Sequence, residues 1–315
     1  MDQSLDDPFA APVKDPQIEM INFSLRGGAA ASTANRPLRR AALEPMRGMR
    51  QTDSSERAAM RLLPHATPAA ARLQELLKLP LGEALDSLLM VHEILGAELP
   101  KGAIGIYEAG GGSTCFLPPD VLSRAHVTVV DIDEAQLRNN DYAQQSILGD
   151  IQTYRFAPNS FDLVTCYNVI EHLPDVEAAL TGFFQALKPG GLLLIAAPNP
   201  RSLSGVVTKY TPHWFHIWFY RHVIGKKNAG LPGEPPFPTY FHRLVTPSLL
   251  EAFARKNGLQ VIYRKEYESP RYPEMRVYKP LFAALIDTLS VSLNLFMPRK
   301  VDVRRGDYHI ILRKP

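Results

Sequence analysis

From residue 103 to residue 197 the chain alternates short apolar runs with helix-forming stretches, and this alternation restricts the fold more than any other feature. Ala103–Glu108, His126–Asp131, Gln145–Gly149, Phe161–Cys166 and Leu192–Ala197 read as five strands, with helical stretches near 117–123, 133–142 and 174–187 between them. Short apolar runs joined through helices belong to a parallel sheet covered on both faces. The expected architecture is α/β, a doubly wound and mostly parallel sheet.

The flanks fit around that unit. Thr246 as cap and Pro247 at the first helical position open a helix that closes near Lys256, ahead of Gly258. Leu259–Tyr267 and Tyr308–Arg313 read as two further strands. Leu281–Met297 is apolar but interrupted by Asp287, Ser290, Ser292 and Asn294. It suits a helix beside the last strands, or a dimer interface, better than a membrane span. Residues 1–52 mix Pro, Gly, Ala, Ser and charge without periodicity, and disorder is expected there. Residues 53–100 are expected to form a helical cover. Asp53 and Glu56 have capping-box spacing ahead of 58–63, Thr67 and Pro68 open a second helix, and a third runs from Gly82 to Leu95. The main domain then spans 101–315, with a substrate-side insertion at 198–247 and a helical one at 268–303.

Composition excludes more than it selects. Thirty-five basic side chains against 32 acidic ones leave a net charge of +3, so no broad basic face for nucleic acid is expected. Two cysteines, Cys115 and Cys166, make neither a disulfide framework nor zinc-ligand spacing, which favours a reducing, cytoplasmic setting. The first twenty residues carry acids and lack the apolar core of a signal peptide. His213, His216 and His222 have no cysteine or clustered carboxylate nearby, so no metal site is expected.

The chemistry gathers at strand ends. Ile106-Tyr107-Glu108-Ala109-Gly110-Gly111-Gly112 is a strand running into a glycine turn, where backbone can approach a ligand without a Cβ in the way. Asp131 closes the second strand 23 residues after Glu108, where a carboxylate can accept from both ribose hydroxyls. Asp150 follows the third strand and is placed for an adenine amino group. Each aspartate taken alone can equally cap the turn that follows it.

These segments, with Val130-Asp131-Ile132, Gly149-Asp150, Phe161-Asp162-Leu163-Val164, Ile170-Glu171-His172-Leu173 and Leu187-Lys188-Pro189-Gly190-Gly191, resemble the class I methyltransferases. The resemblance is to the small-molecule group that includes ubiquinone-biosynthesis O-methyltransferases. Thr114 stands where that family usually has a third glycine, and Pro118 and Pro119 fall where its first covering helix should run. The resemblance implies a seven-stranded sheet whose last strand is antiparallel, and S-adenosylmethionine as cofactor. It implies that Glu108, Gly110, Gly112, Asp131, Ile132, Asp150, Ile151 and Asn168 hold that cofactor.

His172, after the fourth strand, is the candidate general base; the alternative is that Glu171 and His172 orient the loop beneath the cofactor. The acceptor is expected to be a small molecule or a lipid-linked one. The Pro-Pro-aromatic signature of planar-amine methylation is missing from Cys166-Tyr167-Asn168-Val169, and family analogy favours oxygen. The aromatic run His213–His222, followed by Lys226 and Lys227, reads either as a lid with peripheral membrane contact through 213–227 or as an anchor to the core. Two rival classes stand beside the enzyme. A nicotinamide oxidoreductase would more often show a full G-x-G-x-x-G, but Cys115 takes the last place, and no Tyr-x-x-x-Lys pair exists. A binding protein that has lost turnover would keep every feature above.

Overall fold

A computed structural model describes residues 82–112, 115–231, 236–240, 242–296 and 304–315. The segment 1–52, the helices expected at 53–63 and from Thr67, and Thr114 lie outside the described residues.

The strands are β1 (Ile104–Ala109), β2 (Ala125–Asp131), β3 (Gln145–Leu148), β4 (Phe161–Tyr167), β5 (Leu187–Pro198), β6 (Gln260–Tyr267) and β7 (Asp307–Arg313). They form one sheet in the order β3-β2-β1-β4-β5-β7-β6. β1 to β5 pair in parallel, and β7 runs antiparallel to both β5 and β6. The doubly wound sheet with a reversed last strand is therefore present.

Its helices are α1 (Glu83–Glu98), α2 (Pro119–Leu122), α3 (Glu134–Arg138), α4 (Val176–Ala186), α5 (Leu203–Tyr210), α6 (His213–Phe219), α7 (Pro247–Lys256), α8 (Arg271–Tyr278) and α9 (Pro280–Phe296). Successive strand residues serve opposite faces. Ile106, Val129 and Leu194 share a core with Val91 and Leu95 of α1, whereas Tyr107, Val130 and Ile195 share one with Leu180 and Phe183 of α4 and Leu250 of α7. Burial on both sides explains why the strands read as continuous apolar runs. On α1, Leu88, Val91 and Leu95 recur at helical spacing and are buried, each stabilising the fold by roughly 1.5–3 kcal/mol.

The α1 face also encloses a polar knot around His309 of β7. Its Nδ1 lies 2.8 Å from Ser87 Oγ on α1, and its Nε2 lies 2.6 Å from the Tyr167 hydroxyl and 3.0 Å from that of Tyr267. Burial pushes the imidazole down to about 3, so the ring is neutral. Two hydroxyls at Nε2 suit that nitrogen as the acceptor, with Nδ1–H donating to Ser87.

Three elements differ from their expected bounds. α2 is a single turn rather than 117–123, because Pro118 caps it in extended backbone and Pro119 fixes its first residue. α3 stops at Arg138 rather than 142. There Asn140 turns the chain, accepting from the Tyr142 and Ala143 N–H groups at 3.2 and 2.8 Å. β5 begins at Leu187 rather than 192. Its pairing with β4 skips from Leu187 to Leu192, across Gly190 at φ 80°.

Candidate functional site

Because β1 to β4 are parallel neighbours, their carboxyl ends share one edge, and backbone contacts bind those ends together. Gly110 N–H donates to Val130 O at 2.8 Å, and Gly149 N–H donates to Asp131 O at 2.9 Å. The Asp131 carboxylate accepts from Gly112 N–H at 3.1 Å and from Asp133 N–H at 2.8 Å. Asp131 thus performs the turn-capping role. Gly110 has φ 71° and Gly112 has φ 54°; a Cβ at Gly110 would stand 2.6 Å from Val169. The turn after β1 therefore lies directly on the turn after β4, which only glycine allows.

Glu108 is the buried charge of this edge. Tyr142 hydrogen-bonds its carboxyl, while Oε2 has no partner among the described residues. Desolvation pushes the carboxyl up to about 7. An orphaned carboxylate oxygen beside a glycine turn fits a ligand that brings a hydrogen-bond donor or a positive charge. Neither Tyr142 nor Asn140, whose Nδ2 donates to Gly112 O at 2.6 Å, stood out in the sequence. The Asn139-Asn140 pair was the available signal for a turn.

The remaining candidates are distributed unevenly. Ile132 is 74% exposed directly after Asp131, an apolar surface open to a flat ring. Asp150 accepts from Gln152 N–H at 2.8 Å, and the Gln152 side chain bonds both of its oxygens. Gln152 Oε1 also accepts from Asp175 N–H at 2.8 Å, tying the β3 end to the start of α4. Ile151 is buried in the core rather than presented at the edge. Asn168 holds a left-handed φ of 56° and donates its N–H to Ala196 O at 2.8 Å.

His172 ends a 3-10 turn, Ile170–His172. Its Nδ1 lies 2.9 Å from the Pro238 carbonyl, which can only accept, so Nδ1 carries the proton and Nε2 is the basic nitrogen. Nε2 lies 3.8 Å from Glu171 Oε1, and the ring is partly open to solvent. Phe237 meets the imidazole edge-on at 6.1 Å, and Tyr240 N–H donates to Glu171 O at 2.9 Å. The end of the insertion therefore grips this turn from 66 residues away, a partnership with no local signal in sequence. Among the described residues no three metal-ligating side chains gather, and His216 Nε2 is 2.8 Å from Thr211 Oγ1.

Residues 108–195 match the family model described as a methyltransferase domain. Residues 108–195 are thus a methyltransferase domain. The match runs from the last two residues of β1 through most of β5, the stretch that builds the edge described above. The chain is 38% identical over 150 residues to the ubiquinone biosynthesis O-methyltransferase of Idiomarina loihiensis, covering 43% of this chain and 56% of that protein. It is 25% identical over 181 residues to the protein of the same name from Maricaulis maris, covering 54% and 64%. The match thus spans less than two thirds of these curated relatives. An S-adenosylmethionine-dependent methyltransferase structure from Mesorhizobium loti aligns at a TM-score of 0.42 and 16% identity, covering 70% of this chain and 96% of that one.

Proposed function

We propose that this chain transfers a methyl group from S-adenosylmethionine to an oxygen of a small or lipid-linked acceptor. The observation that carries the reading is the buried Glu108 carboxylate, with one oxygen unpartnered among the described residues, at a glycine turn joined to Asp131. When bound, the cofactor supplies a methyl group made electrophilic by its sulfonium. Glu108 is available to the cofactor's cationic amino group, Asp131 to ribose hydroxyls, and Ile132 to one face of the adenine. Asp150, held by Gln152, faces the adenine amino group in this reading, while Gly110, Gly112, Ile151 and Asn168 shape the backbone around it.

The chain's remaining task is to hold the acceptor in line, keep water out and accept a proton. His172 is equipped for the last part. Its tautomer is set by the Pro238 carbonyl, Nε2 is free to take a hydroxyl proton, and Glu171 stands 3.8 Å away to pair with the imidazolium. The relatives named as O-methyltransferases support oxygen as the acceptor atom. The aromatic insertion supports an apolar acceptor and peripheral membrane contact through 213–227, in a cytoplasmic setting that suits Cys115 and Cys166, which form no disulfide.

Transfer of labelled methyl to a metabolite extract tests this directly: a labelled product is expected, and its structure identifies the acceptor. Calorimetry with S-adenosylhomocysteine and with NADH is the companion measurement. Binding of NADH alone would replace this reading with an oxidoreductase, and tight S-adenosylhomocysteine binding without any labelled product would replace it with a binding protein.

A further inference from the structure

Among the described residues, α9 presents a long apolar face that nothing covers. Leu281, Leu285, Leu289, Leu295 and Phe296 are exposed, Leu281 by 89% and Phe296 by 88%. Leu281, Leu285, Leu289 and Phe296 recur at steps of four, four and seven along one side of the helix, Leu295 lies two heptads from Leu281 on the same side, and no charged residue interrupts them. The helix's only acid is turned elsewhere. Asp287 is paired with Arg276 of α8 at 3.0 Å, and that guanidinium also holds Glu268 at 2.7 Å. The hydroxyls on the exposed side are satisfied within the helix. Thr288 Oγ1 donates to Ala284 O and Ser292 Oγ to Thr288 O, both at 2.8 Å. A surface that carries its own hydrogen bonds loses little on leaving water.

Three observations point to what meets this face. Phe282 of α9 packs against Phe219 of α6 at 6.1 Å, so the stripe continues into a helix whose Trp214 and Trp218 are exposed. Amphipathic aromatics of this kind favour the boundary between lipid and water. No aspartate or glutamate occurs from residue 178 to residue 233, a stretch that contains Lys209, Arg221, Lys226 and Lys227. Lys279 immediately precedes α9, and the sequence after the helix carries Arg299 and Lys300 with no acid before Asp302. That charge pattern complements anionic headgroups, and two copies apposed through it would bring like charges together. At 17 residues, or roughly 25 Å, α9 is short of a span, and no described helix is long and apolar enough to cross a membrane.

We propose that α9 lies in the plane of an anionic bilayer, its leucine face among the acyl chains, with the tryptophans of α6 beside it at the interface. This deepens the membrane contact read from 213–227 and rests on that reading only for the charge of the stretch; it does not depend on methyl transfer, since its test reads binding. The full chain is sedimented with vesicles of phosphatidylglycerol and phosphatidylethanolamine, and separately with phosphatidylcholine alone. The wild type is expected to partition to the anionic vesicles, and L285E/L289E to lose at least about tenfold in partition with its melting temperature unchanged. W214A/W218A is expected to lose less. Amide exchange across 280–296 in the wild type is expected to slow when anionic vesicles are added, a readout that stands even where a variant fails to fold. Equal binding by L285E/L289E, no slowing of exchange, or no wild-type binding overturns the proposal. Loss confined to W214A/W218A overturns it while leaving the contact at 213–227 in place. A wild-type dimer that L285E/L289E converts to monomer, without vesicle binding, assigns the face to a second copy instead.

Discussion

At the ends of β1, β2 and β3 backbone N–H groups of the glycine turns tie the strand ends together. Gly110, Gly112 and Gly149 each donate an N–H to β2, and the turn after β1 lies on the turn after β4. Between Leu203 and Leu231, by contrast, only Leu203 and Ala229 are buried, and Tyr210, Trp214 and Trp218 are exposed. The first region is fixed atom by atom, and side-chain identity matters there mainly where a Cβ or a charge would intrude. The second presents large side chains outward and draws its meaning from what it meets. Under the proposed methyl transfer, the strand-end edge would hold the donor and the outward-facing insertion would meet an apolar acceptor.

Substitutions can break or sharpen that contrast. His172 follows β4 and is held by the Pro238 carbonyl at the end of the insertion, and His172→Ala is expected to lower turnover by about 100-fold or more while S-adenosylhomocysteine affinity, read by calorimetry, stays near wild type. Near-full turnover in a folded variant would return His172 to the loop-orienting role. Glu108→Gln tests the edge through pH. The folded carboxyl titrates near 7 against 4.5 when unfolded, so the folded state holds the extra proton between those values. The contribution of this group to stability is intact below 4.5 and is lost as pH rises through 7. At pH 8, without cofactor, Glu108→Gln is expected to be more stable than wild type by on the order of 2–3 kcal/mol in urea unfolding, while binding cofactor more weakly. A difference between wild type and Glu108→Gln that stays flat across this range would contradict the buried, unpartnered carboxylate. Gly110→Ala forces a side chain into a φ of 71° against Val169. It is expected to cost about 2 kcal/mol and to lower S-adenosylhomocysteine affinity at least tenfold. At the small end, Trp214→Ala and Trp218→Ala should each change unfolding free energy by less than about 0.5 kcal/mol, since neither ring is buried. A large destabilisation would show the insertion to be an anchor after all.

How far the sequence reveals this molecule follows from the range of each interaction. The strands were legible because burial on both faces leaves an uninterrupted apolar run, as in Leu192–Ala197. The glycine turn and Asp131 were legible because strand ends in a parallel sheet fall on one edge. Helix lengths were not, since Asn140 and the pair Pro118-Pro119 end or shorten a turn through local geometry that outweighs the apolar pattern. The partners of the site were least legible. Tyr142 reaches Glu108, and the Pro238 carbonyl sets the His172 tautomer, only after the chain has folded back through a loop. The exposed face of α9 was hidden for the opposite reason: an apolar stripe reads the same whether a core or a membrane will cover it.

The ring of His309 joins segments that sequence keeps far apart, since Ser87 on α1, Tyr167 on β4 and Tyr267 on β6 all meet it. Such a rivet holds only while it is uncharged. Below the ordinary histidine range the unfolded chain takes up a proton that this ring refuses until about pH 3, so stability drains away as acidity grows across that window. Mild acid should thus unfasten the α1 cover and the far side of the sheet together, while β1 to β3, stitched by their own backbone, let go last.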